Sequence, residues 1–270
     1  MAKIGLEKPI LDRNDKIAEQ NRATFDSAGV FVLDLMASPG AGKTSTILAT
    51  IEALRDRYNI AVIEGDVASK VDAEKIKARG IPAVQINTGG ICHLEADVIS
   101  RAVSELDLAE LDLIIIENVG NLVCPAEFYL GEHAKVMILS GPEGHDKPYK
   151  YPDMFQITEA VILNKVDTMP VFNFDGAEFR SVVGQLNPKA PIFPISATTG
   201  EGVGAWAAWI AERGEEVHAV AVGSGRAQHH EYVHVAGPGL DGLPCRAVEP
   251  RANDELDGCG EQQLHPAGEV

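Results

Sequence analysis

The most regular feature of the chain is a series of short apolar runs: "VFVLDLMA" (30–37), "NIAVIEGD" (59–66), "PAVQINT" (82–88), "LDLIIIENV" (111–119), "AKVMILS" (134–140), "AVILNKVD" (160–167) and "PIFPIS" (191–196). They are rich in Ile and Val and mostly apolar on both faces, as strands buried between two helix layers must be. Between most of them, apolar residues recur at a helical period over 43–57, 71–79, 93–108, 174–187 and 202–213. This alternation predicts a three-layer α/β fold with a mainly parallel sheet of about seven strands. No internal repeat interrupts it. Residues 1–25 are expected to form a polar helical arm. From 218 to 270 the chain is rich in Gly, Pro and charge without a sustained apolar period, which predicts a disordered tail. The folded unit is then 26–217.

Composition narrows the partners rather than the fold. The chain has 270 residues, 45% of them hydrophobic, enough for one large domain or two small ones. A net charge of −17 argues against nucleic acid or an anionic membrane as the main partner and suits a protein that attracts cations. No run approaches the roughly 18 apolar residues of a membrane span. The N-terminus "MAKIGLEKPILDRNDKIAEQ" is charged throughout, unlike a signal peptide, so a cytoplasmic location is expected. Four cysteines in that compartment are read as metal ligands or plain thiols.

"ASPGAGKTST" joins the first strand to the first helix, where free helix N–H groups and a partial positive charge favour phosphate. Gly40, Ala41 and Gly42 would wrap the backbone around phosphate oxygens. Lys43 would neutralise the β- and γ-phosphates, and Thr44, followed by Ser45, would offer a hydroxyl to Mg²⁺. The loop departs from G-x-x-x-x-G-K-[ST] only at Ala37, which is tolerable if its φ is negative. An ordinary Gly-rich turn is the alternative, and the strand before and helix after it argue against that. The expected fold is therefore that of a P-loop NTPase. "NKVD" ends a later strand: Asp167 can accept from N1–H and the 2-amino group of guanine, Asn164 can bond the base edge, and the stem of Lys165 can cover the ring. "SATTGEG" ends the next strand, where Ser196 is a further candidate nucleotide-binding residue and the Ala197 N–H is placed to meet guanine O6. Either tetrapeptide alone is weak; together and in order they favour GTP over ATP.

The expected γ-phosphate sensors are less regular. In "LIIIENVGNL", Glu117 ends a strand and would hold a Mg²⁺-bound water, while Gly120 would offer its N–H to the γ-phosphate. Asp66 is a candidate second Mg²⁺ carboxylate. Asp72 would orient the attacking water or, equally well, serve as a helix N-terminal acid. Asn121 rather than glutamine follows Gly120, so slow intrinsic hydrolysis is expected.

Cys92 and His93 sit side by side in "NTGGICHLEADVIS", at the expected start of a helix, and Cys124 lies just past Gly120. Each alone is better read as packing. Together, two thiols and an imidazole after strands that share one sheet edge suggest a site for Ni²⁺ or Zn²⁺. Three ligands leave a four-coordinate ion one short, and a second chain would complete the set.

Taken together, "ASPGAGKTS", "EGDVASKVDAEKI", "NTGGICHLEA", "ENVGNLVCPAEF", "KYPDMF" and "LNKVD" make the chain resemble the HypB family of hydrogenase nickel-incorporation GTPases over about residues 10–215. The resemblance implies a GTP-dependent homodimer that binds metal at Cys92, His93 and Cys124. It also implies interplay with a hydrogenase maturation partner and the hydrogenase large subunit, so that nickel reaches [NiFe]-hydrogenase. It further implies that Lys147 or Lys150, in "GHDKPYKYP", reaches the partner's nucleotide. The chain departs from some members in having no cysteine or histidine before the first strand, so their accessory nickel sites are not expected here. Its tail instead carries His218, His229, His230, His234, His265, Cys245 and Cys259, irregularly spaced and read as a solvated extension. A metal-storage protein with a vestigial nucleotide site, a small-molecule kinase, and a urease-accessory GTPase are the alternatives. Intact "GAGKT" and "NKVD" argue against the first, the second would need an acceptor pocket in place of the guanine loops, and the sequence around Cys92 and His93 argues against the third.

Overall fold

Unbroken Ile/Val runs cannot leave either face in water, and the sheet of the computed structural model, which describes residues 8–65 and 76–223, accommodates them. The strands are β1 (Phe31–Ala37), β2 (Ile60–Glu64), β3 (Ala83–Gln85), β4 (Leu113–Gly120), β5 (Ala134–Ser140), β6 (Ala160–Asn164) and β7 (Ile192–Pro194). They form one seven-stranded sheet in the order β3-β2-β4-β1-β5-β6-β7. Every pairing is parallel. All residues of β1 and β5 are buried, whereas β3 and β7 at the edges are half-exposed. The expected α/β layering is what the chain adopts.

The helices are α1 (Lys8–Ala28), α2 (Lys43–Leu54), α3 (Ala96–Val103), the short α4 (Lys147–Lys150) and α5 (Pro152–Gln156), α6 (Gly176–Leu186) and α7 (Val203–Gly223). On one face, Leu33, Leu35, Ile115 and Val136 pack against Ile47 and Ile51 of α2 and Trp206 and Ile210 of α7. Trp206 is fully buried, and its Nε1 donates to Thr50 Oγ1 at 2.9 Å, so its one polar atom costs nothing. The opposite face carries two separate apolar clusters. Val32, Ile63, Ile114 and Ile116 meet α1 and α3, while Met36, Met137 and Leu139 meet α5 and α6.

Three elements differ from the pattern-based expectation, the first being α7, which continues to Gly223 and buries Ala221 where the tail is expected to begin at 218. The helix predicted over 93–108 is confined to Ala96–Val103, because Gly89 and Gly90, both at positive φ, and extended Glu95 hold the preceding segment in a loop. Cys92 and His93 therefore precede the helix. The expected N-terminal arm is docked: Phe25 and Ala18 are fully buried, and Asn14 and Asn21 are 5% exposed. Asparagines do the inward hydrogen bonding of this helix, so apolar periodicity underrates it.

Because β1 leads to β2 on one side and β4 leads to β5 on the other, a crevice opens at the carboxyl ends of the central strands. No described helix is long and apolar enough to cross a membrane.

Candidate functional site

The loop expected to hold phosphate leaves β1 after Ala37, which lies in the strand with negative φ, and enters α2 through Gly42. Gly42 has φ +99°, and a Cβ there would lie 2.5 Å from Asn164 Nδ2. Only glycine fits both conditions. Lys43 is 5% exposed, and Thr44 follows it in the first turn of α2. The residues expected to read guanine are tied to this loop directly. Asn164 Nδ2 donates to Ala41 O at 3.0 Å, and its Oδ1 accepts from Lys165 N at 2.8 Å and Ala197 N at 3.3 Å. Lys165, the only described non-glycine residue at positive φ, stretches its Nζ to Gly40 O at 2.7 Å. Asp167 is exposed, and Ser196 is fully buried with its hydroxyl accepting from Thr199 N at 3.1 Å. Two loops far apart in sequence thus form one cradle.

Glu64, the last residue of β2, and Glu117, three residues before the end of β4, are cross-strand neighbours, each 1% exposed. Glu117 Oε1 accepts from Thr44 Oγ1 at 3.0 Å. Burial, then the adjoining Glu64 carboxyl, push Glu117 up to about 9. Gly120 closes β4 against the phosphate loop, where a Cβ would meet Pro39 Cγ at 3.1 Å. Asp66 and Asp72 lie outside the described residues, as does the tail after Gly223.

Cys92, His93 and Cys124 come together. Their potential ligand atoms lie within 4.8 Å of one another. Cys92 Sγ is 3.0 Å from Cys124 Sγ and 3.7 Å from His93 Nδ1. The neighbouring Cys124 thiol raises the pKa of Cys92, so the pair favours protons or a cation over two bare thiolates. The His93 ring stacks on Phe128, with centroids 3.8 Å apart, and its Nε2 faces Glu95 Oε1 at 3.5 Å. Nδ1 is left toward the sulfurs. Asn121 joins the two segments, donating to Cys92 O at 3.1 Å and accepting from Val123 N at 3.0 Å.

Several residues of this region escape a motif-based reading. Glu64 is the acid of an otherwise apolar buried strand, a signal that Asp66, two residues on, obscures. Glu143 caps its own turn through Ser140 and also accepts from Ser38 in the phosphate loop. Phe128 and Asn121 are ordinary loop residues until folding puts them beside the cysteines.

The CobW/HypB/UreG nucleotide-binding domain model matches residues 31–194. The hydrogenase maturation factor HypB of Azotobacter vinelandii is 50% identical over 215 residues, covering 79% of this chain and 71% of that protein. HypB of Escherichia coli K12 is 47% identical over 205 residues, covering 76% and 71%. The crystal structure of Helicobacter pylori HypB in complex with nickel superposes with a TM-score of 0.72 at 38% identity, covering 76% of this chain and 97% of that one. That of Archaeoglobus fulgidus HypB gives 0.71 at 34% identity, covering 75% and 99%. With these similarities spanning both the nucleotide cradle and the cysteine–histidine cluster, the chain belongs to the HypB family of CobW/HypB/UreG nucleotide-binding domains.

Proposed function

We propose that this protein is a GTP-hydrolysing, cytoplasmic metallochaperone that binds nickel, or zinc, as cargo and assists nickel insertion into [NiFe]-hydrogenase. The observation that carries the reading is the Cys92–His93–Cys124 cluster, assembled on the segments that follow β3 and β4. Thiolates and an imidazole are ligands for these ions and poor ones for Mg²⁺. The names of the relatives and the nickel complex of the Helicobacter pylori protein support it. Gly40, Ala41, Gly42, Lys43, Thr44 and Ser45 hold the phosphates; Asn164, Lys165, Asp167, Ser196 and Ala197 read the base. Thr44 and Glu117 fit Mg²⁺, because a buried pair of carboxyls beside a hydroxyl is a donor set for a hard cation. Asp66 is assigned to the same ion, which when bound spreads the charge of the β- and γ-phosphates. Gly120 faces the γ-phosphate and Asp72 orients water. Asn121 is engaged with the cysteine segments, which fits a slow intrinsic rate.

Three ligands invite a second copy. Ile91 and Val123, next to the cysteines, are 51% and 55% exposed, so a GTP-dependent homodimer would cover apolar surface while completing the metal's coordination. Lys147 or Lys150 would reach the partner's nucleotide, and a maturation partner and the hydrogenase large subunit would receive the cargo. The test compares GTP with ATP binding and titrates Ni²⁺ and Zn²⁺ into protein ending at Gly223, which keeps α7 and removes the tail's cysteines and most of its histidines. GTP should bind in preference, and Cys92→Ala or Cys124→Ala should each abolish tight metal binding. His93→Ala should weaken it or shift the metal preference. Metal binding undiminished in the double-cysteine variant would sink the proposal.

A further inference from the structure

Across the middle of the sheet, on the face away from α2, three polar side chains stand where apolar ones are expected. Asp34 of β1 is fully buried, Asn118 of β4 is 1% exposed and Lys135 of β5 is 9% exposed. Asp34 is paired in register with Lys135, and Asn118 lies two residues beyond Ile116, the β4 partner of Asp34. The row falls between the two apolar clusters of that face. Asn118 Nδ2 donates to both Asp34 oxygens, at 2.9 and 3.1 Å. Lys135 Nζ donates to Asp34 Oδ2 at 3.2 Å and is also 3.1 Å from Glu132 Oε1. Buried charges are costly, and an apolar row would pack this face as well. The row therefore invites a reason beyond stability.

Lys135 supplies one. Its ammonium also donates to Pro125 O at 3.3 Å and Phe128 O at 2.8 Å. Those two carbonyls belong to the segment that begins with Cys124 and whose Phe128 ring stacks on His93. At the other end of the row, Asn118 is flanked by Glu117, which bonds Thr44, and lies two residues before Gly120, which abuts Pro39. A chain of hydrogen bonds thus runs from Asn118, next to Glu117 in β4, through Asp34 and Lys135 to the segment that bears Cys124. The same segment is held from its far side by α1. Asn14 Nδ2 donates to Tyr129 O at 2.7 Å and Asn21 Nδ2 to Leu130 O at 3.0 Å, contacts that do not touch β4.

We propose that Lys135 is a positioning residue that, through Asp34 and Asn118, makes the placement of Cys124 and His93 follow the nucleotide state of β4. The inference rests on the reading of Cys92, His93 and Cys124 as a metal site and of Glu117 and Gly120 as γ-phosphate sensors. A two-state segment biased from both ends is the physical requirement for such coupling. The neighbouring Asn contacts fix the segment without reporting on the nucleotide.

The experiment uses the full chain carrying Cys245→Ser and Cys259→Ser, so that thiolate-to-nickel charge-transfer absorption reports Cys92 and Cys124 alone. Ni²⁺ affinity is measured with GDP and with a non-hydrolysable GTP analogue, and the ratio of the two affinities is the readout. Coupling of ordinary size makes this ratio roughly 5–150-fold in the parent. Lys135→Met and, separately, Asn118→Ala, which keeps the buried Lys–Asp pair, should bring it to within about twofold of unity. Asn14→Ala, which loosens the same segment from α1, should weaken Ni²⁺ in both states and leave the ratio intact. A merely structural role for Lys135 would change stability and both affinities but not their ratio. If the parent shows a ratio and Asn118→Ala keeps it, or if Asn14→Ala erases it equally, the Lys135 route is wrong while the metal reading stands. If the parent binds Ni²⁺ through these cysteines with no ratio at all, coupling itself is absent and the inference falls with it. If the parent shows no thiolate absorption, the metal reading fails first.

Discussion

At the scale of single residues, the legible positions are those whose chemistry constrains the backbone. Gly42 is read from the sequence because a phosphate loop needs it, and the structure adds a second reason, the 2.5 Å approach of Asn164 Nδ2 to any Cβ there. Gly42→Ala should cost about 1–3 kcal/mol through the positive φ and displace Asn164 as well. GTP affinity should therefore fall at both the phosphate and the base ends, measurable by titration with GTP and with triphosphate alone. Asp167→Asn separates the two ends. It replaces a double acceptor by a group presenting a donor to the guanine 2-amino group, so GTP binding should weaken by about 2–4 kcal/mol. Xanthosine triphosphate, which has a carbonyl at C2, should bind better to the variant. Unchanged GTP affinity would remove "NKVD" as the base-reading loop. Glu64, Phe128 and Asn118 were not legible in this way. Their neighbours come from other strands and loops, and no local pattern encodes a partner 53 or 84 residues away.

At the scale of elements, apolar period locates every strand to within a few residues, because burial on both faces leaves a strong signature in Ile and Val. It does less well where polar side chains make the packing contacts. Helix α1 docks through Asn14 and Asn21, and the turn before α3 is set by glycine conformation rather than by period. The lead into β5 is another such place. His133 Nδ1 accepts from Val32 N at 3.1 Å while the His133 backbone N–H donates to Val32 O at 2.8 Å, so the residue extends the ladder below the strand. Its Nε2 faces Asp26 Oδ1 at 2.9 Å. Burial, then the Arg22 guanidinium, lower the His133 pKa to about 4. The folded state thus keeps His133 neutral, while the unfolded chain takes up a proton near its ordinary value of 6.5. Stability is full above about pH 6.5 and is lost as pH falls toward about 4, by on the order of 2–3 kcal/mol. Urea midpoints at pH 7.5 and 5.0 should show the loss in the parent, and His133→Gln should flatten it. An equal loss in that variant would place the acid sensitivity elsewhere.

At the scale of the whole molecule, the run pattern predicts the number of strands but not their order. That order, with β4 inserted between β1 and β2, brings Glu117 and Gly120 alongside the phosphate loop, and Cys124 follows on the segment after β4. The resulting surface is unfinished in two places at once. The Cys92–His93–Cys124 cluster offers two sulfurs and one imidazole beside exposed Ile91 and Val123, and Lys147 and Lys150, the latter paired with Asp146, flank exposed Tyr149. A two-fold axis can satisfy both, since an isologous contact uses each patch twice. Each copy, however, carries a net charge of −17, and the repulsion between them must be offset before apolar contact can act. In the proposed dimer, bound GTP with Mg²⁺ would provide a specific contact through a lysine of the opposite chain, and metal would provide shared coordination. GDP lacks the γ-phosphate and should support the contact less well. Sedimentation with a non-hydrolysable GTP analogue and Mg²⁺ should therefore show a heavier species than GDP gives, and Ni²⁺ should increase the difference. Lys147→Ala or Lys150→Ala, whichever residue makes the contact, should return the analogue-bound protein to the GDP behaviour. A single unchanged monomer in both nucleotide states, with metal present, would exclude the dimer.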